Sequence, residues 1–169
     1  MKKIFISLAS LLVFTSCVLH VYRFTSVNYN NSRISISAGL VNSEDEKSPV
    51  EYIGVSDVRS NVNTPHKVKI LSSTIKIIDS NNKEYIAKTN SNSGYIHIYK
   101  QGVVITDDFK AYIGKVQLDD GTIIDIPPLS FKKTVYVEKY SVISDTINAG
   151  GRGKEIFSGT VEDYKKQKK

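Results

Sequence analysis

The feature that most constrains this chain is a period of two. From Ile34 the residues Ile34, Ile36, Ala38 and Leu40 alternate with Ser35, Ser37 and Gly39. Successive side chains of an extended strand point to opposite faces, so this run reads as a strand with one buried face. Nowhere before residue 155 does an apolar set recur with helical spacing over three turns. A chain patterned this way buries its apolar residues between sheets.

Eight further β runs follow: Val50 to Val58, Lys67 to Asp79, Lys83 to Thr89, Tyr95 to Tyr99, Val103 to Thr106, Lys110 to Leu118, Thr122 to Ile126 and Ser130 to Ile143. The residues between them suit turns. Ser80-Asn81-Asn82 and Asp119-Asp120-Gly121 each separate two apolar runs, and Asn and Gly tolerate the positive φ of tight hairpins. Pro127-Pro128 donates no ladder hydrogen bond and marks a strand end or edge. Short strands at regular spacing predict an all-β domain over 34–147, a two-sheet β-sandwich of immunoglobulin-like type. Residues 23–33, rich in Asn and Ser, read as a tether. Residues 148–169 read as a flexible Gly-rich joint at Gly150-Gly151-Arg152-Gly153 and a basic tail. Within that tail Thr160 is placed to cap a short C-terminal helix.

The formal charge of +6 resides at the ends. Lys2, Lys3, Arg23, Lys165, Lys166, Lys168 and Lys169 are seven of the 23 basic residues, which leaves 16 basic against 17 acidic residues between positions 24 and 163. A nucleic-acid binder concentrates Lys and Arg on its folded domain to neutralise phosphates, and this near-neutral body argues against that class.

The beginning of the chain sets its compartment. Lys2 and Lys3 precede an uncharged run of 19 residues, Ile4 to Tyr22, which contains the sole cysteine. A positive start, an apolar stretch and then small residues form the pattern of an export signal. Phe14-Thr15-Ser16-Cys17 resembles the lipobox of bacterial lipoproteins. The resemblance is confined to residues 1–17 and implies lipidation of Cys17, which becomes the mature N-terminus. The same run is also close to the roughly 20 residues that span a bilayer as a helix. Residues 1–22 are therefore a lipoprotein-type signal or an uncleaved membrane anchor, and either places the body outside the cytoplasm of a bacterial cell.

Candidate chemistry is sparse. Alternation places Tyr95, His97 and Tyr99 on one strand face and Ile96 and Ile98 on the other, so the aromatic set is a candidate binding surface. His66 follows Pro65 in a loop, and His20 lies in the signal or anchor. Two scattered histidines and a signal cysteine supply no recognised metal set, and no cofactor motif is present. The sequence thus points to an exported, membrane-anchored, non-catalytic protein of the cell envelope that binds another protein or an envelope component. The alternative is a small envelope hydrolase using His97 or His66 with a carboxylate and a serine.

Overall fold

A computed structural model describes residues 16–90, 93–141 and 153–168. Among the described residues twelve strands and one α-helix follow in chain order: β1 (Ser16–Ser26), β2 (Ile34–Leu40), β3 (Val50–Asp57), β4 (Val68–Ile70), β5 (Thr74–Asp79), β6 (Glu84–Lys88), β7 (Tyr95–His97), β8 (Phe109–Tyr112), β9 (Gly114–Leu118), β10 (Ile123–Ile126), β11 (Leu129–Ser141), β12 (Lys154–Thr160) and α1 (Val161–Gln167). Two compact units divide the chain, one of Tyr22–Thr134 and one of Met1–Val21 with Val135–Lys169.

In the larger unit, which holds β1 from Tyr22 on and β11 as far as Thr134, the main sheet runs β6-β5-β8-β11-β1-β2-β3-β7, and a second sheet runs β10-β9-β4. Its β pattern and two packed sheets are those expected. The partition is uneven, however, because two expected strands each break at a corner and change sheets. Lys67 to Asp79 becomes β4 in the small sheet and β5 in the large one; Lys110 to Leu118 becomes β8 in the large sheet and β9 in the small one. Gly114 takes φ 79° at the second corner. A Cβ there would stand 3.2 Å from Ser72 Oγ, and Leu71 N–H donates to Lys115 O at 2.9 Å, so the two corners lie against each other. Corners of this kind let one chain line both sides of a core.

The alternation is realised as inward and outward faces. From the large sheet Phe24, Ala38, Ile53, Ile75, Ile77, Ala111 and Phe131 are buried, as are Val68, Ile70, Val116 and Leu118 from the small one. Phe109 stacks on Phe131 with centroids 4.6 Å apart and meets Phe24 edge-on at 5.3 Å. Burying each such ring contributes about 1.5–3 kcal/mol. Lys133, 9% exposed, is tied down by donating to Glu46 O at 2.6 Å and to Thr106 O, with its ammonium 5.2 Å from the Phe24 ring. Both expected hairpins are present: β5 pairs with β6 through a turn with Asn82 at φ 61°, and β9 with β10 through Gly121 at φ 83°.

The ends of the main sheet meet through one side chain. Gln101 Nε2 donates to Lys88 O at 2.9 Å and to His97 O at 3.0 Å, while its Oε1 accepts from Lys88 N–H at 2.7 Å. Lys88 ends β6 and His97 ends β7, so a side-chain amide joins the two edge strands where no ladder does. The outer N–H of Tyr95 is capped by Ser93 Oγ at 3.0 Å.

Several expectations are revised. The tether of 23–33 begins as strand: Phe24 pairs with Ala38 and is wholly buried. The rest of it is fastened by side-chain amides, Asn28 exchanging hydrogen bonds with Pro128 O and Ser130 N–H, and Asn31 Oδ1 accepting from Arg33 N–H. Val103 to Thr106 forms no strand, although Ile105 O accepts from Val50 N–H at 2.8 Å. In the smaller unit, the tail expected as joint and basic end contains β12, paired with β11, and α1 capped by Thr160 Oγ1 on Asp163 N–H at 3.1 Å. His20 accompanies them in that unit, 2.8 Å from Tyr164 Oη. Residues 1–15 of the signal or anchor and residues 148–152 of the joint lie outside the described residues.

Replacing Gly114 with Ala forces an L side chain into the left-handed region against Ser72. Urea unfolding should show a loss of about 1–2 kcal/mol, whereas Gly102→Ala, at φ 78° but with open space around its Cβ position, should lose less.

Candidate functional site

The register across β1, β2, β3 and β7 assembles three outward rows. Ser35 faces Ser56; Thr25, Ser37, Gly54 and Tyr95 form the second row; Gly39, Tyr52 and His97 form the third. Every alternate residue of β2 and β7 points inward, with Ala38 and Ile96 buried. The result is a sheet face of hydroxyls, glycines and aromatic rings.

Two glycines shape it. A Cβ at Gly39 would stand 2.5 Å from Tyr52 Cε1, and one at Gly54 would stand 2.9 Å from Tyr95 Cε1, so each ring lies across a neighbouring strand where no side chain intervenes. Rings laid over glycines in this way stabilise the sheet and hold the aromatic surface in place. Tyr52 meets Tyr95 edge-on at 5.4 Å and His97 at 6.1 Å. Tyr95 remains 46% exposed.

Of the three expected residues the fold brings Tyr95 and His97 together, with Tyr52 between them. Tyr99 leaves the row: β7 ends at His97, and Tyr99 opens a single 3-10 turn closed by Gly102 N–H on Tyr99 O. It is exposed, yet it is not part of the strand face. Tyr52, Gly39 and Gly54 escaped the sequence reading because only cross-strand register brings them to the same rows. Glycines at two outward strand positions were the available signal.

His66 has different surroundings. Its Nδ1 lies 2.5 Å from Asp119 Oδ2, and its backbone N–H donates to Ser60 Oγ at 3.0 Å. Asp57, His66 and Asp119 bring one ligand atom each within 4.8 Å of one another, the spacing a metal ion needs. Asp57, however, is fully buried and accepts from Arg59 Nε at 3.0 and 3.2 Å, Arg59 Nη2 at 2.6 Å and Arg59 N–H at 2.9 Å. The guanidinium fills the position and supplies the charge that a cation would bring. Arg59 reaches on to Asp119 and Asp120, and Arg33 pairs with Asp120 at 2.6 Å. This is an ion-pair network that fixes three loops. The Ser60 hydroxyl accepts from the His66 amide, and the His66 imidazole is paired with Asp119.

Comparison with known proteins finds no family, no curated protein and no solved structure that matches this chain.

The side-chain hydrogen bonds from Arg59 hold the Asp57 carboxyl down at about 2, against the opposing effect of burial. Asp120 is held below the usual carboxylate range first by its hydrogen bonds from Thr122 and then by Arg33. A carboxyl depressed in the folded state contributes stability above its unfolded value, near 3.8 for Asp57, and that stability is lost as pH falls toward 2. The melting temperature should therefore fall between about pH 4 and pH 2. In Arg59→Ala the Asp57 share of this fall should shrink, because the carboxyl loses the side-chain hydrogen bonds that hold it down and burial lifts it toward its unfolded value; the variant instead loses stability at neutral pH.

Proposed function

We propose that this chain is an exported, membrane-anchored and non-catalytic binding protein of the bacterial envelope, holding its β body outside the cytoplasm. It engages another protein or an envelope component through Tyr52, Tyr95 and His97. The observation that carries this reading is the exposed aromatic face of β3 and β7, whose rings are seated on glycines and so are presented at low entropic cost.

The anchor reading rests on Lys2, Lys3, the apolar run and the Ser16-Cys17 pair. Between a lipid anchor and a spanning helix, β1 favours the lipid. It occupies Ser16 to Tyr22, seven of the 19 uncharged residues, and a spanning helix needs about 20. Among the described residues no helix is long and apolar enough to cross a membrane. Cys17 is exposed near the start of β1, where an acyl chain has access to a bilayer. An acylated thiol is also protected from the oxidation that threatens a free cysteine outside the cytoplasm.

Two measurements test this reading. Intact mass of the membrane-extracted protein should show a chain beginning at diacylglyceryl-Cys17, and Cys17→Ala should abolish that species; a chain retaining residues 1–16 would instead establish the spanning anchor. The double variant Tyr95→Ala, His97→Ala should lose partner binding by at least about tenfold, while its melting temperature stays within a few degrees of wild type, since both residues are exposed on an edge strand.

A further inference from the structure

The outward residues of the main sheet are not uniform in chemistry. On β5, β6, β8 and β11 they include Lys76, Glu84, Lys88, Lys110 and Lys132, a solvated charged surface. On β1, β2, β3 and β7 the paired rows are Thr25, Ser35, Ser37, Gly39, Tyr52, Gly54, Ser56, Tyr95 and His97, with no Lys, Asp or Glu. Glu51 is the unpaired residue of the bulge opposite Gly39 and Leu40 and belongs to no row, and Arg23 lies at the margin, one residue before the pairing begins. A surface that only had to stay wet would carry charge here too.

A second feature adjoins these rows at Ser35. It is a cleft of about 280 Å³ lined in part by Ser26, Tyr29, Asn30, Ser35 and Val58, with no charged residue around it. Such a volume is near the lower end of small-ligand sites, which run from roughly 300 Å³ upward. Ser26, one of its lining residues, has a buried hydroxyl with no hydrogen-bond partner among the described residues. A buried hydroxyl left unpaired costs free energy, and rotation of the Ser26 side chain about χ1 would turn it toward the cleft, where a ligand's own hydroxyl could satisfy it. The loop that forms this wall is held by Asn28 and Asn31, as described above, so the cleft is preformed.

We propose that this face and its cleft bind a neutral oligosaccharide. The inference rests on the reading of the aromatic surface as a binding surface and names its ligand class. A sugar ring presents C–H groups on its faces and hydroxyls on its edges; Tyr52, Tyr95 and His97 meet the first, and Thr25, Ser35, Ser37 and Ser56 meet the second. A hydroxyl both donates and accepts, so serine and threonine rows accommodate a polyol in more than one register. A phosphate- or carboxylate-bearing polymer requires several cations along its path, whereas these rows offer His97 alone, with Arg23 at their margin. A protein partner is the less favoured occupant, since apart from two tyrosines and a histidine the rows are small hydroxyls and glycines, with no Trp or Arg anchor, and Ser and Thr are poor interface hot spots.

The test is calorimetric titration of the full-length protein in a sugar-free detergent. The probes are six-unit gluco-, manno-, galacto- and xylo-oligosaccharides, with polygalacturonate as the acidic counterpart. At least one neutral probe should bind, and the acidic one should bind at least about tenfold more weakly than the best neutral one. Tyr95→Ala and Ser26→Ala should each weaken the neutral complex by about threefold to tenfold. Tyr95 lies on an edge strand, so that variant should fold even if the Ser26 variant does not. Binding of the acidic probe with equal or greater affinity overturns the proposal, as does neutral binding that survives Tyr95→Ala unchanged. If no neutral probe binds while a purified protein partner is lost on Tyr95→Ala, His97→Ala, the ligand class is wrong and the binding-surface reading stands. If neither kind of ligand depends on these residues, both fail.

Discussion

The rest of the larger unit depends on the contact between two corners. Gly114, in the left-handed region, leaves space that Ser72 Oγ occupies, and the Leu71 amide closes onto Lys115 O. Each corner passes one strand from one sheet to the other, so the small sheet exists only because both corners form together. Without them β4 and β9 would continue as β5 and β8 in one long sheet, and Val68, Ile70, Val116 and Leu118 would have no second layer to bury them. The backbone cost of one positive φ is small against the apolar burial that it organises.

Two packed sheets leave edges, and exposed edges pair with whatever strand is available. In the main sheet the facing edges β6 and β7 are bridged by side chains. Gln101 places its amide between β6 and β7 and satisfies a donor and an acceptor of Lys88 and an acceptor of His97, much as a ladder residue would. Ser93 caps the Tyr95 amide on the same margin. Recognition by addition of a partner strand is thereby disfavoured at β7, and recognition by the outward side chains of β3 and β7 is what remains. Edge closure and the aromatic face are in this sense a single arrangement, since the strand that presents Tyr95 and His97 is the strand whose backbone is blocked.

What was legible in the sequence follows from the range of each signal. Ile34 to Leu40 was read correctly because its alternation is local, and the two hairpins because Asn82 and Gly121 sit where positive φ is needed. The corners were not legible: apolar alternation continues on both sides of Ser72 and of Gly114, and sheet membership is decided by partners far away in sequence. β12 was missed because nearly all of it is exposed or half-exposed, which leaves no alternation to see. The strand over residues 16–22 is hidden because an uncharged run beside a cysteine reads as an export element whatever its backbone does, and over 23–26 because the Asn- and Ser-rich stretch that follows reads as a tether. At the site, alternation revealed Tyr95 and His97, while Tyr52 and the two glycines required the register of three strands. Tyr99 was assigned to the row because alternation carries no information about where a strand stops; Gly102 stops it by permitting the tight turn.

The end of β3 shows why charge and recognition are kept apart in this fold. Ser56 points outward into the neutral rows, and the next residue, Asp57, points inward and is saturated by Arg59. That single alternation divides two surfaces. Behind it Arg33, Arg59, His66, Asp119 and Asp120 neutralise one another and pin their loops, and a buried carboxylate there is tolerable only because the guanidinium meets it on both oxygens. In front of it the rows carry no Lys, Asp or Glu, and the nearest charges are Arg23 at their margin and Glu51 at the bulge. Affinity at the face must then come from ring stacking and short hydrogen bonds, forces that act only at contact, which is why the glycines that set the height and tilt of Tyr52 and Tyr95 matter as much as the rings themselves.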